Sequence, residues 1–183
     1  MAKVSNITHD ESIQQNLEGW CFEVGSEYEN YSIAAANLFI EYIGTKPVID
    51  LGSGDGAATK VFVANGNKTT AVDINSEKLN RIEGAKLVQT DFMSFLSKPL
   101  DNIFLHHSLE HYVNYQDVLD AIASHLKKGS YCYIAVPKGD TPHSVHHVAF
   151  ESVDEICPPG LEVIECTESE KPWPQYYAIT KKQ

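Results

Sequence analysis

The chain has 183 residues, of which 14 are basic and 25 are acidic, so its formal charge is −11 with the eight histidines neutral. Its 43% apolar and 21% charged residues are typical of a globular protein, and they exclude a disordered chain, a collagen-like repeat and a disulfide scaffold. The acidic balance disfavours nucleic acid and an anionic bilayer as partners, since both attract clustered Lys and Arg.

Cysteine spacing and hydropathy bear on where the protein works. The sequence has no run approaching the roughly 18 apolar residues of a membrane span, and MAKVSNITHDES lacks the hydrophobic run of a signal peptide. Its four cysteines show no CxxC spacing, which indicates neither a zinc ribbon nor a dithiol redox site. We therefore predict a cytoplasmic protein with reduced thiols, forming one domain over residues 1–183 as a monomer or homodimer.

The first 45 residues are predicted to be helical. Two helices are expected, over residues 11–22 and 27–43, and because they precede the rest of the fold we predict an N-terminal helical lid over residues 1–45 above a core of residues 46–183. Four aromatic residues of this segment are candidates either for the wall of a substrate pocket or for ordinary packing against a sheet: Trp20, Phe22, Tyr28 and Tyr31.

From residue 46 onward, short apolar runs alternate with amphipathic segments, which predicts an α/β fold with a parallel sheet covered by helices. The loop between the last two apolar runs contains Pro172 and Pro174, which favours a hairpin and an antiparallel final strand. The predicted strands are residues 47–51, 69–74, 85–88, 102–105, 131–136, 161–166 and 175–180.

Three helices are predicted between these strands. The most strongly patterned spans residues 115–128, with Asn114 as its expected N-cap and Gly129 as its left-handed stop. Another spans residues 57–64, and a short one lies near residues 151–156. The apolar positions of the first recur at three- and four-residue steps: Val118, Leu119, Ile122 and Leu126.

A glycine-rich turn follows the first predicted strand. In residues 48–56, VIDLGSGDG, the turn lies between a strand and a helix. Glycines at that position let the backbone turn sharply and approach a ligand, and the helix that follows offers free N–H groups to a polar or anionic moiety.

Carboxylates end the second and third strands. Asp73 closes the second strand, and Asp91 with Phe92 follows the third. Because ligands of parallel sheets bind at the carboxyl edge, we expect Asp73 to accept hydrogen bonds from the hydroxyls of a ribose, Asp91 to accept from an adenine amino group, and Phe92 to pack on the base.

A dinucleotide is the first alternative ligand. Gly52, Gly54 and Ala57 satisfy the GxGxxA fingerprint of an NAD-dependent oxidoreductase. Three features argue against an oxidoreductase: the predicted helical segment of residues 1–45 precedes the loop, the acidic Asp50 lies just before the loop, and later segments show no evident nicotinamide site. A non-catalytic cofactor-binding subunit that serves a partner enzyme is the second alternative.

These segments together resemble the class I S-adenosylmethionine-dependent methyltransferases, especially those that act on small molecules. Residues 48–56 are similar to the first motif of that family, and residues 71–74 (AVDI) and 89–92 (QTDF) to the second and third. The stretch from SLEH, at residues 108–111, to YIAVP, at residues 133–137, resembles the fourth strand, the following helix and the fifth strand.

The resemblance implies a Rossmann-like, seven-stranded sheet in the order 3-2-1-4-5-7-6, with strand 7 antiparallel and helices on both faces. It also implies S-adenosyl-L-methionine as the cofactor, S-adenosyl-L-homocysteine as the product, and a small-molecule acceptor methylated at oxygen, nitrogen or carbon. The residues implied to bind the cofactor are Asp50, Gly52, Ser53, Gly54, Gly56, Asp73, Ile74, Asp91, Phe92 and His106.

Histidines are the candidates for catalysis. A methyl group on a sulfonium needs mainly an aligned nucleophile, and a base matters only for an acceptor that carries a proton. His106 and His107 end the fourth strand, while His143, His146 and His147 lie on the loop after the fifth. We predict His107 and His146 as the groups that act as a base or orient the acceptor.

The same histidines suggest a third alternative. His107, Glu110 and His111 match the HxxEH spacing of inverted zinc peptidases, in which a helix places both histidines on one face. The match begins at the end of a strand, and no acidic ligand helix follows it. We therefore predict no metal site.

Overall fold

The computed structural model of the chain describes residues 1–18, 27–139, 146–170 and 174–183. Seven strands form one mixed sheet, and two short strands pair separately. In chain order the strands are β1 (Lys3–Val4), β2 (Val48–Leu51), β3 (Thr69–Asp73), β4 (Lys86–Gln89), β5 (Asn102–His106), β6 (Tyr131–Pro137), β7 (Val148–Ala149), β8 (Glu162–Ser169) and β9 (Gln175–Lys181).

The large sheet has the spatial order β4-β3-β2-β5-β6-β9-β8. Strands β2 to β6 run parallel to one another, and β9 is antiparallel to both of its neighbours. The predicted Rossmann-like order, 3-2-1-4-5-7-6 with an antiparallel last strand, is therefore confirmed. This order places the ends of β2, β3 and β5 side by side at the carboxyl edge.

Helices cover both faces of the sheet. The predicted helices over residues 27–43 and 57–64 are present with those bounds. The helices are α1 (His9–Glu18), α2 (Glu27–Ile43), α3 (Ala57–Ala64), α4 (Ser76–Leu79), α5 (Phe92–Phe95) and α6 (Tyr115–His125), with 3₁₀ turns at Leu109–His111 and Val153–Ile156.

The C-terminus of α6 differs from the prediction. The helix ends at His125, because Leu126 turns to an extended conformation and forms a bridge with Leu100, whose carbonyl accepts from the amide of Lys127 at 3.0 Å. Asn114 is the N-cap residue, as predicted, but its side chain makes no capping hydrogen bond.

Alternate residues of β5 supply two separate cores. Ile103 and Leu105 pack on the face covered by α6, whereas Phe104 packs on the opposite face with Phe39 of α2 and Phe62 of α3. This alternation follows from the two-residue period of a strand. All five side chains are almost completely buried, so β5 is fixed from both sides.

The N-terminal segment belongs partly to these layers. Helix α2 packs Ala36, Phe39 and Ile43 against the sheet, so residues 27–43 form a layer of the fold and not a lid. Residues 19–22 of the first predicted helix, with Trp20 and Phe22, lie outside the described residues. Of the two helices predicted to form the lid, α1 is therefore the one that remains a candidate.

A small antiparallel pair, β1 with β7, was not predicted. It matches Lys3 with Ala149 and Val4 with Val148. Strands of two residues carry no periodicity, so the sequence pattern does not reveal them. Within the described ranges, none of the helices combines the length and apolarity that crossing a bilayer requires.

Replacing Phe39 by Ala tests the role of α2 as a layer of the core. We expect Phe39→Ala to lower the free energy of unfolding by about 3–5 kcal/mol, because a fully buried aromatic ring leaves a cavity. Glu41→Ala, at an exposed position of the same helix, is the matched control and should change stability by less than about 0.5 kcal/mol. Urea unfolding of both variants measures this, and equal losses would contradict the layer assignment.

Candidate active site

The glycine loop joins β2 to α3 at the carboxyl edge. Gly52 and Gly54 both have positive φ, 78° and 52°, which L side chains rarely adopt. A Cβ on Gly52 would lie 2.4 Å from Oγ of Ser108, so this glycine permits close packing of the loop on the end of β5. A Cβ on Gly54 would meet no atom within 4 Å, so the loop is open at its centre.

Asp73 fixes that open loop. One of its carboxylate oxygens accepts from the amide of Gly54 at 2.9 Å, and the other accepts from the amide of Asn75 at 2.8 Å. The side chain is half-buried, and each carboxylate oxygen retains a further lone pair for another donor. Asp73 therefore ties the loop to β3 and remains able to accept from a ligand.

Asp50 supports the loop from inside. It is buried, and one carboxylate oxygen accepts from the hydroxyl of Thr59 at 2.5 Å. Burial raises the pKa of Asp50 to about 7, and the charge on Asp73 acts in the same direction. The carboxyl group is thus poised to gain or lose a proton near neutral pH.

The residues predicted to contact adenine also form contacts within the protein itself. Asp91 caps α5, because its carboxylate accepts from the amide of Ser94 at 3.1 Å. The ring of Phe92 is buried and stacks on Tyr112, with centroids 4.4 Å apart and an interplanar angle of 1°. Ile74 is half-buried directly after Asp73. A base at this edge would therefore meet a surface that is already organised.

Two buried polar side chains near the loop have no hydrogen-bond partner among the described residues: the hydroxyl of Ser53 and the ring of His106. His106 stacks on Phe104, with centroids 5.7 Å apart, and burial lowers its pKa well below the ordinary value. Buried polar groups are normally paired, so these two are positioned to meet polar groups of a ligand.

His107 has an unusual backbone. Its φ is 49°, in the left-handed region, and it is the one non-glycine residue of the described ranges with a positive φ. Such strain is concentrated at functional sites. One ring nitrogen is hydrogen-bonded to Oε1 of Gln175 at 2.9 Å, and the other lies 3.7 Å from Oε1 of Glu110. Burial lowers the pKa of His107 to about 4, so the ring is neutral at pH 7.

His111 lies on the 3₁₀ turn after β5, and the ring of His146 lies beside it, with the two ring centroids 5.0 Å apart. Glu110, on the same turn, is buried, whereas both histidines are half-buried. His146 also lowers the pKa of His107, so the two predicted catalytic histidines are neighbours. His143 lies outside the described residues.

The geometry of an inverted zinc peptidase is absent from this described segment. That site needs one helix carrying His107, Glu110 and His111, but here a strand end precedes a short 3₁₀ turn. His107 is instead hydrogen-bonded to Gln175 of β9.

Ser108 and Gln175 are not singled out as site residues by the sequence, and the sequence leaves the role of Tyr28 open. The hydroxyl of Ser108 donates to the carbonyl of Gly52 at 3.2 Å, and the ring of Tyr28 lies 5.7 Å from that of His107. From the sequence, Tyr28 is an aromatic residue that either lines a substrate pocket or packs against the sheet, and nothing there decides between the two roles. Gln175 carried no signal, because only the β6–β9 pairing brings it to this edge.

A sequence model of a methyltransferase domain matches residues 27–170. The match spans most of the chain, which therefore belongs to this methyltransferase family. It favours the methyltransferase prediction over the NAD-dependent oxidoreductase. No curated protein matches the sequence.

Solved structures share the fold. The N-methyltransferase NodS from Bradyrhizobium japonicum, in complex with S-adenosylhomocysteine, is 16% identical with a TM-score of 0.75, covering 94% of this chain and 97% of NodS. A SAM-dependent methyltransferase from Archaeoglobus fulgidus is 21% identical with a TM-score of 0.67, covering 92% and 97%. Magnesium protoporphyrin IX methyltransferase from Synechocystis, with bound SAM, is 10% identical with a TM-score of 0.67, covering 93% and 90%.

Replacing Asp50 by Asn tests the raised pKa of this carboxyl. Because the folded state holds the proton more tightly than the unfolded state, Asp50 favours folding below its ordinary pKa of 3.8, and this contribution is lost as the pH rises to about 7. We therefore expect wild type to lose stability relative to Asp50→Asn across that range. Asn keeps an oxygen that can accept from Thr59.

Urea unfolding at several pH values measures the difference. A difference between wild type and Asp50→Asn that stays constant from acid to neutral pH would contradict the raised pKa.

Proposed function

We propose that this protein is an S-adenosylmethionine-dependent methyltransferase that transfers a methyl group to a small-molecule acceptor. The observation that carries the proposal is the open glycine loop, held by the carboxylate of Asp73 at the carboxyl edge of the parallel sheet. Membership of the methyltransferase family supports the reaction type. NodS and the Synechocystis enzyme, crystallised with S-adenosylhomocysteine and S-adenosylmethionine, support the cofactor by analogy of fold.

The described residues fit such a cofactor. Gly52, Ser53, Gly54 and Gly56 form the loop for the methionine portion, and the hydroxyl of Ser53 is buried there without a partner. Asp73 and Ile74 would hold the ribose, and Asp91 with Phe92 the adenine. Asp50 lies beneath the loop, where its carboxylate, when ionised, would stabilise the ammonium group of the cofactor's methionine portion. When bound, S-adenosylmethionine supplies a methyl group activated by a sulfonium.

The protein's own contribution is mainly positioning. Holding a nucleophile in line with the methyl group and excluding water supplies most of what methyl transfer needs. The neutral ring of His107, fixed against Gln175, is well placed to orient an acceptor, although a pKa of about 4 makes it a weak base. His146 is the remaining candidate for proton removal.

The charge of the site favours a neutral or cationic acceptor. Glu110 is buried close to His107, and the chain as a whole carries a charge of −11. A polyanion such as nucleic acid would be repelled. Coclaurine N-methyltransferase, bound to N-methylheliamine and S-adenosylhomocysteine, shares this fold at 17% identity and a TM-score of 0.63, so an amine is one acceptor class to test first.

Helix α1 supports the lid proposal. Its first residue, His9, lies with its ring centroid 5.2 Å from that of Tyr112, which in turn stacks on Phe92. The helix thus begins at the expected adenine edge, where it would cover the cofactor.

We also place the protein in the cytoplasm, as one domain acting as a monomer or homodimer, on the basis of its composition.

Replacing Asp73 tests the ribose site. We expect Asp73→Ala to weaken binding of S-adenosylhomocysteine by about 1–3 kcal/mol, because a buried pair of hydroxyl groups loses its acceptor. Asp73→Asn retains a single acceptor oxygen and should lose less. Isothermal titration calorimetry measures both, and Asp101→Ala, remote from the loop, should bind as wild type does.

The same titration separates the alternatives. Unchanged affinity in Asp73→Ala would show that the ribose lies elsewhere, and binding of NAD in place of S-adenosylhomocysteine would favour the oxidoreductase. A cofactor-binding subunit would bind S-adenosylmethionine yet methylate no compound of a cell extract until a partner protein was added.

A further inference from the structure

Three metal-ligating side chains meet beside the proposed cofactor loop. One carboxylate oxygen of Glu110 and one ring nitrogen each of His111 and His146 all lie within 4.8 Å of one another. Glu110 is 1% exposed, whereas both histidines are half-buried. The cluster is therefore closed on the carboxylate side and reachable on the histidine side.

The backbone holds these groups together. Glu110 and His111 share the 3₁₀ turn Leu109–His111, and the amide of His147 donates to the carbonyl of Glu110 at 2.8 Å. The carbonyl of His147 in turn accepts from the amide of Ser5 at 2.7 Å, next to the β1–β7 pair. His146 is thus fixed by direct bonds between its neighbour and the turn, so little ordering is needed to bring the three ligands onto one ion.

The donor set determines the kind of ion. Two imidazole nitrogens and one carboxylate suit zinc and similar divalent transition metals, whereas magnesium and calcium prefer oxygen ligands alone. Three protein ligands also leave one position of a tetrahedral site for water or a substrate. We propose that Glu110, His111 and His146 form a binding site for a divalent transition-metal ion of the zinc type.

The location gives this site a role near the proposed reaction. Ser108, two residues before Glu110, donates to the carbonyl of Gly52 in the glycine loop. The turn that carries Glu110 and His111 is therefore joined to the glycine loop through Ser108, and an ion held there would supply a coordination position for a hydroxyl or an amine. With the ion bound, His146 would be a ligand and not the group that removes a proton from the acceptor. Metal binding itself does not depend on the cofactor, so the two proposals can fail separately.

This site differs from the arrangement considered from the sequence. In the HxxEH alternative, which the sequence analysis set aside, His107 would be a ligand, but that residue is hydrogen-bonded to Gln175. His146, from the segment before β7, takes its place through the fold. The expectation of no metal rested on two observations: the HxxEH match begins at a strand end, and no cluster of Asp residues accompanies the loop histidines and His106. Neither observation considers a Glu110–His111–His146 set, which only the fold brings together.

Metal titration of the whole chain tests the proposal. After treatment with a chelator and dialysis, the protein is titrated with Zn²⁺ by calorimetry and with Co²⁺ by visible absorption, without cofactor. We expect about one equivalent to bind and tetrahedral Co²⁺ bands to appear. His111→Ala and His146→Ala should each weaken Zn²⁺ binding at least about tenfold, as should Glu110→Gln. His125→Ala, at the end of α6 and outside the cluster, is the matched control.

Circular dichroism and thermal unfolding identify variants that fail to fold. Glu110 is buried, so Glu110→Gln is the variant most exposed to this failure, and in that case the variants of the two half-buried histidines decide the outcome. Less than about a tenth of an equivalent in wild type, or wild-type affinity in both histidine variants, overturns the proposal. Binding of S-adenosylhomocysteine is measured separately on the metal-free protein, so a failure of the metal site is distinguished from a failure of the proposed function.

Discussion

The hydrogen bond from the amide of Gly54 to the carboxylate of Asp73 is the constraint on which the site depends. It joins a loop after β2 to the end of β3, two elements that the sheet order places next to each other. Because Gly54 has no neighbour within 4 Å of a Cβ position, the loop encloses space that Asp73 borders. The same carboxylate thus shapes the loop and borders the space in which we propose the ligand binds.

Buried polar groups accumulate where β5 ends. His106 and Glu110 are buried and His107 is half-buried, and His106 is without a hydrogen-bond partner in the described part of the chain. Burying such groups costs stability, whereas the apolar packing of β5 on both of its faces contributes stability. Such a concentration of buried ionisable groups is typical of binding and catalytic sites.

The sequence allowed prediction of what is encoded locally. Buried strands, the glycine turn and helix α3 follow from short-range patterns, and the position of Asp73 follows from the rule that parallel strands end at one edge. The contacts of Gln175 with His107, and of His146 with His111, join residues far apart in the chain, and no local pattern carries them. Asn114 shows that a local rule can give a position without its contact, since Asn114 is the N-cap residue of α6 but its side chain makes no capping hydrogen bond.

The most direct test of the central claim is a crystal structure of the protein with S-adenosylhomocysteine. If Asp73 both holds the loop and receives the ribose, its carboxylate will retain the amide of Gly54 and lie within about 2.6–3.2 Å of the ribose hydroxyl oxygens, with the amino acid portion against Ser53 and Gly54. A ligand bound away from the carboxyl edge, or an Asp73 side chain that contacts no ribose oxygen, would contradict it.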